Sequence, residues 1–173
     1  MTLADRVTAV LNDGGVAHAV IGAAALAAAG VVRSSLDLDL LTLDDRVLDR
    51  GFWTGLAAAG VEVEVRRGDL DDPLAGVVRV AAEDERPVDL IVGRYAWQQR
   101  AVARARTLPG GLRVVLPRDL VLLKLYAGGT QDLWDIRQLL LSTDRAALIA
   151  EVEEDLTELP PPAAALWAVA RSG

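Results

Sequence analysis

The chain has 173 residues, no cysteine, and 25 acidic against 18 basic side chains, which give a net charge of −7 at pH 7. This length suits one domain, or one domain with a small helical extension, and the lack of cysteine excludes disulfides, thiolate catalysis and cysteine-ligated zinc. The acidic balance disfavours broad nucleic-acid binding, because such binding depends on lysine and arginine neutralising phosphates.

The predicted elements begin with a helix from Thr2 or Asp5 to about Asn12, which two glycines end. A strand over residues 18–22 and a helix of small residues over 23–29 follow, and such a helix can pack its backbone very close to a sheet. The later elements are a strand over 36–42, a helix from Asp44 or Asp45 to Ala59, strands over 61–67, 77–82 and 88–92, a helix over 95–106, a strand over 112–116, and helices that start at Pro117, Gln131, Asp144 and shortly before Trp167.

This order predicts an α+β fold in which helices pack against a mixed sheet. We expect residues 1–116 to form the core and residues 117–173 to form a helical part packed on it. Charged residues precede any apolar run at the N-terminus, which is not typical of a signal peptide. The uncharged stretch 16–32 is mostly alanine and glycine and too weakly apolar for a membrane helix, so we expect a cytoplasmic protein with no membrane partner.

Asp37 and Asp39 alternate with leucines along the strand predicted over 36–42. Residues i and i+2 of a strand share one face, so the two carboxylates are expected to project together while the leucines face a core. Neighbouring carboxylates repel unless something neutralises them, and a divalent cation with oxygen ligands is a common solution. The alternation also fits a half-solvated antiparallel strand, and periodicity alone favours that alternative.

Asp89 lies in the segment P-V-D-L-I-V, where apolar neighbours on both sides make a lone carboxylate costly. A strand-edge position that faces water is the alternative. If this strand lies beside the strand of Asp37 and Asp39, three carboxylates come together. Such a set can hold two Mg²⁺ ions for in-line displacement at phosphorus.

Four motifs then occur in an order typical of one superfamily. The segments G-A-A-A-L and R-S-S-L-D-L-D-L-L resemble the nucleotidyltransferase signature of the DNA polymerase β superfamily, in which Gly-Gly or Gly-Ser begins a helix and an Asp-x-Asp strand follows. R-S-S before Asp37 is similar to the R-x-T-x-D-x-D form of the bacterial AbiEii-like branch, and V-D-L-I-V is similar to the strand of the third carboxylate. The segment K-L-Y-A-G-G-T-Q-D-L-W-D resembles that branch's lysine and aspartate motif, so the resemblance covers roughly residues 16–141.

The resemblance implies a polymerase-β-like nucleotidyltransferase core with C-terminal helices. It implies transfer of a nucleoside monophosphate from a nucleoside triphosphate to an acceptor hydroxyl on a tRNA, a protein or a small molecule, and it makes the chain a candidate toxin whose partner is an antitoxin. The implied metal ligands for two Mg²⁺ ions are Asp37, Asp39 and Asp89; the implied catalytic residues are Asp89, Lys124 and Asp132; and the implied nucleotide-binding residues are Gly22, Ala23, Arg33, Ser35 and Lys124.

Two positions depart from the family pattern. Ala23 stands in place of a second Gly or Ser, which removes a hydroxyl from the phosphate site, and Gln131 stands where the branch often carries a basic residue. These departures leave open a second interpretation, a catalytically degenerate module that binds a nucleotide or a protein partner. An antibiotic-modifying transferase is a further alternative among enzymes, and the acidic charge favours a protein or small-molecule acceptor over RNA.

Several candidate residues also have a plain structural interpretation. Lys124 is alternatively an exposed helix lysine, and Asp132 and Asp135 alternatively cap a helix or face solvent. His18, the single histidine, is predicted to be an ordinary strand residue, and Arg33 alternatively pairs with an acid. The remaining residues of this kind are the tryptophans predicted in a core or interface, Trp53, Trp97, Trp134 and Trp167, and the arginines predicted on solvated faces, Arg66, Arg67, Arg100, Arg104 and Arg106.

Overall fold

In the computed structural model, which describes residues 1–35 and 37–172, the chain starts with helix α1 (Leu3–Asp13). Thr2 caps this helix: its hydroxyl accepts a hydrogen bond from the backbone N–H of Asp5 at 3.2 Å, and the Asp5 carboxylate accepts one from the backbone N–H of Thr2 at 2.7 Å. The buried face of α1 carries Leu3, Val7 and Leu11 at helical spacing. The predicted start and end of this helix are confirmed.

The remaining elements alternate between short helices and strands before a helical C-terminal part. They are β1 (His18–Val20), α2 (Gly22–Ala28), β2 (Leu38–Thr42), α3 (Thr54–Ala58), β3 (Glu62–Arg67), β4 (Gly76–Ala81), β5 (Val88–Val92), α4 (Ala96–Arg104), β6 (Arg106–Thr107), β7 (Arg113–Val114), α5 (Pro117–Ala127), α6 (Thr130–Ser142), α7 (Arg145–Asp155) and α8 (Pro161–Arg171).

The seven strands form one mixed sheet in the order β3-β4-β5-β2-β1-β7-β6. Strand β2 pairs in parallel with β5 and antiparallel with β1, while β3, β4 and β5 form an antiparallel meander. With eight α-helices among the described residues, this confirms the predicted α+β class and its mixed sheet.

The central strands bury one face and leave much of the other open. Along β4 and β5 the buried and half-buried positions alternate, as the two-residue period of a strand requires. Val78, Val80 and Leu90 are fully buried on the core side, whereas Arg79 and Asp89 lie on the opposite side and are only half-buried. The side of the sheet that carries Arg79 and Asp89 is called the open face below.

The prediction of one continuous helix from Asp44 or Asp45 to Ala59 is wrong. Two 3₁₀ turns, Asp45–Leu48 and Arg50–Trp53, precede the five-residue helix α3. The Asp49 carboxylate accepts a hydrogen bond from the backbone N–H of Gly51 at 2.8 Å, so the chain is capped a second time inside the predicted helix.

Other boundaries differ by a few residues. The helix predicted over 95–106 ends at Arg104, because Arg106–Thr107 pairs with β7 as an edge strand. Gly22 is the first residue of α2 instead of the last residue of a strand. The strand predicted over 36–42 begins at Leu38, and its predicted first residue, Leu36, lies outside the described residues.

The C-terminal helices share a hydrophobic core with the sheet. Leu120 and Leu125 of α5 belong to the same buried cluster as Leu40 of β2 and Leu90 of β5. The division of the chain at residue 116 stays a prediction. Among the described residues, no helix has the length and apolar character that crossing a membrane requires.

Three of the four tryptophans are core residues, as predicted. Trp53, Trp97 and Trp167 are almost fully buried, and the indole N–H of Trp53 donates to the carbonyl of Val47 at 2.7 Å. Trp134 on α6 is not a core residue, since it remains 45 % exposed, and its alternative place in an interface stays a prediction.

Candidate active site

A row of four charged side chains crosses the open face of the sheet. In the strand register, Glu64 of β3 lies opposite Arg79 of β4, Arg79 lies opposite Asp89 of β5, and Asp89 lies opposite Asp39 of β2. Register partners project from the same face, so the four side chains form a line with the charge order minus, plus, minus, minus. The tertiary structure therefore brings Asp39 and Asp89 side by side.

Asp39 has an unfavourable electrostatic environment. It is half-buried, and burial, followed by the negative charges of Asp89 and Asp37, raises the pKa of its carboxyl above the ordinary value, while Arg86 and Lys124 act in the opposite direction. A carboxylate in this position is stabilised by a nearby cation.

Arg79 is the cation that contacts this group of aspartates. Its Nη1 donates to both carboxylate oxygens of Asp89, at 2.7 and 3.0 Å, and lies 3.5 Å from Oδ2 of Asp37. Its Nη2 lies 3.4 Å from Oδ1 of Asp37. Because one guanidinium reaches both carboxylates, Asp37 and Asp89 are close neighbours although Asp37 lies just before β2. We call Asp37, Asp39, Asp89 and Arg79 the open-face cluster.

Gly22 lies directly against the open-face cluster. Its φ of +61° falls in the left-handed region, which side-chain-bearing residues avoid. A Cβ added to Gly22 would lie 2.0 Å from Oδ2 of Asp39, a distance that no real contact allows. The backbone of α2 thus approaches the Asp39 carboxylate at the one residue whose lack of a side chain permits it.

A cleft of about 380 Å³ opens beside these residues. Its polar lining includes Asp39 and Asp89, and its apolar floor is Val77 and Ile91, which lie one row away on β4 and β5. At its outer side Arg66 of β3 pairs with Glu64 at 2.8 Å. The cleft offers carboxylates, guanidinium groups and apolar surface to one bound molecule.

The open-face cluster has the donor chemistry of a magnesium site. Its three carboxylates offer only oxygen ligands, which Mg²⁺ prefers. Within residues 1–35 and 37–172, however, no three His, Cys, Asp or Glu side chains converge closely enough to hold a metal ion. The donor set fits the ion, and in the described arrangement Arg79 occupies the space between Asp37 and Asp89.

A second group of charges holds Lys124 of α5 against helix α6. The Lys124 ammonium lies 3.0 Å from Oδ1 of Asp132 and 2.5 Å from Oδ2 of Asp135. Arg33 donates to the same Asp135 oxygen at 2.8 Å, and the Gln131 side-chain amide reaches the other oxygen at 3.3 Å. We call Lys124, Asp132, Asp135 and Arg33 the Lys124 network.

The Lys124 network corrects two of the plain alternatives and confirms two others. Lys124 is buried instead of exposed, and the Asp135 side chain is fully buried instead of solvated. Asp132 does cap its helix, since its Oδ2 accepts a hydrogen bond from the backbone N–H of Gly129 at 3.0 Å. Arg33 pairs with an acid, as its alternative interpretation predicts.

The other predicted nucleotide-binding residues lie near these groups. Ala23 is buried in the first turn of α2, beside Gly22. Ser35 is exposed, and its hydroxyl accepts a hydrogen bond from the backbone N–H of Asp37 at 3.2 Å. His18 fits its predicted structural role, with Nδ1 2.9 Å from the carbonyl oxygen of Val16.

The arginines considered as local basic patches are paired. Arg104 bonds Asp119 and lies 3.0 Å from Asp155, while Arg100 contacts Asp155 at 3.2 Å. Arg67 donates to the carbonyl of Leu48 at 2.9 Å. This pairing argues against a groove for nucleic acid, and Arg100 and Arg104 are half-buried instead of lying on a solvated face as predicted.

Sequence reasoning missed Arg79 and Arg86. Arg79 is the single charge in the segment G-V-V-R-V-A, an unusual place for an arginine on a central strand and the one signal that pointed to it. Arg86 donates to the carbonyl oxygen of Asp37 at 2.7 Å and so fixes the backbone before β2. Nothing in its surroundings in the sequence marks that contact.

The fold is similar to that of solved structures of the nucleotidyltransferase ANT(2″)-Ia. A solution structure of this antibiotic-resistance factor superposes with a TM-score of 0.55 and 17 % identity over 90 % of each chain. A crystal structure of ANT(2″)-Ia in complex with adenylyl-2″-tobramycin gives a TM-score of 0.56 and 17 % identity over 88 % of this chain and 94 % of the other. At this identity the likeness establishes the fold.

Comparison of the sequence alone adds no further relative. No protein-family model matches the chain, and no curated protein matches it. Both superposed structures are of ANT(2″)-Ia, so the AbiEii-like branch of the superfamily stays a prediction.

Proposed function

We propose that this chain is a magnesium-dependent nucleotidyltransferase that moves a nucleoside monophosphate from a nucleoside triphosphate to a hydroxyl of a small molecule. The observation that carries the proposal is the pairing of Asp39 with Asp89 across two parallel strands, with Asp37 joined to them through Arg79. The likeness of the fold to ANT(2″)-Ia supports the same reaction class.

Asp37, Asp39 and Asp89 are the residues that would hold magnesium. When bound, the metal neutralises phosphate charge and orients the phosphates for in-line attack. The chain contributes the oxygen donors from neighbouring positions on one side of the sheet, and Gly22 leaves room for the Asp39 carboxylate next to the start of α2. This arrangement of oxygens on one face of a sheet is what supports the metal assignment.

In the proposed reaction, Asp89 accepts the proton of the acceptor hydroxyl. The freed oxygen forms a bond to the α-phosphorus, the bond between the α-phosphorus and its bridging oxygen to the β-phosphate breaks, and pyrophosphate leaves with the electron pair. Asp89 can take this proton only after Arg79 has released it, because both of its oxygens now accept hydrogen bonds from Arg79.

Lys124 contributes through its charge. Asp132 and Asp135 hold its ammonium, and that positive charge acts on Asp39, where it opposes the rise in the carboxyl pKa. We therefore assign Asp132 and Asp135 as positioning residues for Lys124. Gly22, Ala23, Arg33 and Ser35 remain the proposed positions for the triphosphate.

A small-molecule acceptor is favoured over tRNA by three features. The net charge is −7, and the arginines that were candidates for a basic patch are paired with acids or carbonyls. The cleft of about 380 Å³ suits a molecule of the size of one or two sugar rings, and its mixed lining offers both charged and apolar contacts.

Calorimetric titration of each of the four nucleoside triphosphates, with and without Mg²⁺, tests the nucleotide site. We expect one or more to bind only with Mg²⁺, and Asp39→Asn to lose this binding. Asp13→Asn, which removes an equal charge at the exposed end of α1, is the matched control and should bind as the unmodified chain does. No binding by the folded chain would contradict the proposal and favour a degenerate partner-binding module.

A labelling reaction then tests the acceptor. The chain is incubated with triphosphates labelled at the α-phosphate, together with aminoglycosides, with bulk tRNA, or with the chain itself as a protein acceptor. We expect label on the small molecules. Label on tRNA or protein would instead support the toxin-type function and reject the small-molecule assignment.

A further inference from the structure

The open-face cluster carries its own counter-ion. Asp37, Asp39 and Asp89 place three carboxylates on one face of the sheet, and Arg79 contacts two of them. Such a set of like charges repels itself without a cation nearby. A guanidinium supplied by the neighbouring strand performs the neutralisation that the proposed function assigns to magnesium.

The geometry makes Arg79 a competitor for the same oxygens. Its Nη1 lies within 3.5 Å of oxygens from both Asp37 and Asp89 and bonds both oxygens of Asp89. Magnesium binds carboxylate oxygens at about 2.0–2.1 Å, and a guanidinium held between the same oxygens would face the ion at short range with like charge. Arg79 and a metal ion therefore exclude each other from the space between Asp37 and Asp89.

The Arg79 side chain also has an alternative acceptor on the open face. Its side chain is 41 % exposed on the open face, and the carboxylate of Glu64 lies opposite it in the strand register, on the side away from Asp89. The positive charge of Arg79 already acts on Glu64 across that register. An arginine with acceptors on both sides can change partners by rotating its side chain, without movement of the sheet.

We propose that Arg79 is an internal counter-ion that holds Asp37 and Asp89 in the resting protein and turns towards Glu64 when a divalent cation binds. This inference rests on the proposed function, since it concerns the same three carboxylates. Arg79 thus sets the metal affinity of the site and keeps Asp89 from acting as a base until the metal-bound nucleotide is present.

Binding of Mn²⁺ alone tests the inference without any turnover. Free Mn²⁺ is followed by electron paramagnetic resonance during titration of the unmodified chain, Arg79→Gln, Arg79→Lys and Asp39→Asn. We expect Arg79→Gln to bind Mn²⁺ at least about tenfold more tightly, because no charge-assisted bidentate pair has to be broken. Arg79→Lys keeps the charge but cannot span two carboxylates, so its Mn²⁺ affinity should lie between those of the unmodified chain and Arg79→Gln.

Arg67→Gln is the matched control for charge. Arg67 lies on the same strand as Glu64 but bonds the carbonyl of Leu48, so its removal changes the net charge equally without freeing Asp37, Asp89 or Glu64. We expect its Mn²⁺ affinity to change less than about threefold, because exposed charges at this range are screened. An equal gain for Arg67→Gln and Arg79→Gln would overturn the inference, since net charge alone would then explain it.

Thermal unfolding gives a second readout in the event that Arg79→Gln is less stable. Without divalent cations, Arg79→Gln should unfold at a lower temperature than the unmodified chain, and Mg²⁺ should raise its unfolding temperature by the larger amount. If Arg79→Gln and the unmodified chain have equal Mn²⁺ affinity and an equal response to Mg²⁺, while Asp39→Asn loses metal binding, the role of Arg79 is rejected and the proposed metal site is retained. No metal binding by any variant would reject the role of Arg79 and the proposed function together.

Discussion

Two clusters in this molecule are built from the same residue types, arginine and aspartate, but differ in exposure and in charge balance. The open-face cluster has three carboxylates and one guanidinium on a partly exposed sheet face. The second cluster, here called the helix clamp, consists of Arg100, Arg104, Arg118, Asp119 and Asp155 between helices α4, α5 and α7. Comparison of the two contrasts the charges of the proposed site with charges that tie three helices together.

In the helix clamp each buried aspartate contacts at least one arginine, and Arg100 and Arg118 also pair with the exposed Glu158 and Glu154 at its edge. Burial acts to raise the pKa of Asp155, yet the hydrogen bond and charge of Arg104, with Arg100 and Arg118, hold it below the ordinary value. The fully buried Asp119 pairs with Arg104 as well, although burial still raises its carboxyl pKa. In the open-face cluster the negative charges are in excess, which is the condition for recruiting a cation from solution.

The largest effect is expected from Asp39→Asn on nucleotidyl transfer. Loss of one charged oxygen ligand should lower kcat/KM by about a thousandfold, in the range typical of removing one group that stabilises developing charge. Pyrophosphate release at a fixed triphosphate concentration well below KM measures this, with Asp13→Asn as the control. More than a tenth of the original rate in Asp39→Asn would remove the open-face cluster from the chemistry.

Arg104→Met tests the structural side of the comparison. The variant leaves Asp119 buried without its main partner, and the free energy of unfolding should fall by about 3 kcal/mol. Urea denaturation measures the loss. Arg46→Met, which breaks an exposed pair with Asp44, should cost less than about 1 kcal/mol, and equal losses in the two variants would show that the helix clamp adds nothing beyond a surface pair.

Gly22→Ala is expected to strain the backbone and to disturb the open-face cluster. The left-handed backbone should cost about 1–2 kcal/mol, and the new Cβ, 2.0 Å from Asp39 Oδ2, must displace that carboxylate and weaken metal binding. Gly60→Ala shares the backbone strain, at φ +79°, but its Cβ meets no atom within 4 Å. If both variants keep the Mn²⁺ affinity of the unmodified chain, the contact between Gly22 and Asp39 has no role in the site.

The smallest effect is a pH dependence of stability. The pKa of the Asp39 carboxyl is raised in the folded chain, so folding favours its protonated form. As the pH rises from the pKa of this carboxyl in the unfolded chain through its pKa in the folded chain, Asp39 lowers the stability of the fold by an increasing amount. Without divalent cations, Asp39→Asn should therefore be more stable than the unmodified chain at pH 7. The difference should shrink as the pH falls through the raised folded pKa, and it should be absent below about 4, the ordinary value of the carboxyl in the unfolded chain.

Unfolding temperatures of both chains between pH 3 and pH 7, measured in a chelator, check this direction. A gap between them that does not change with pH would mean that the asparagine acts through packing. A gap of the opposite sign would mean that Asp39 is already neutralised by the protein itself.

Much of the framework was predictable because it depends on local periodicity. The alternation around Asp89 and the leucines beside Asp39 predicted strands with one core face, and the glycine and capping signals placed α1. The prediction of one continuous helix over residues 44–59 was wrong, because Asp44 and Asp49 each cap a separate turn. Such local capping competes with continuation of a helix. Lys124 was placed on the correct helix, but its burial depends on Asp135, which comes from the next helix.

The sequence by itself determined the α+β class and the positions of Asp39 and Asp89 on strands with one core face, since residues two apart along a strand share a face. Only the tertiary structure decided that Arg79 lies between Asp37 and Asp89, that Lys124 is buried by two aspartates, and that Gly22 touches Asp39. These contacts join residues on different strands and helices. Their formation depends on strand register and helix packing, which no local pattern encodes.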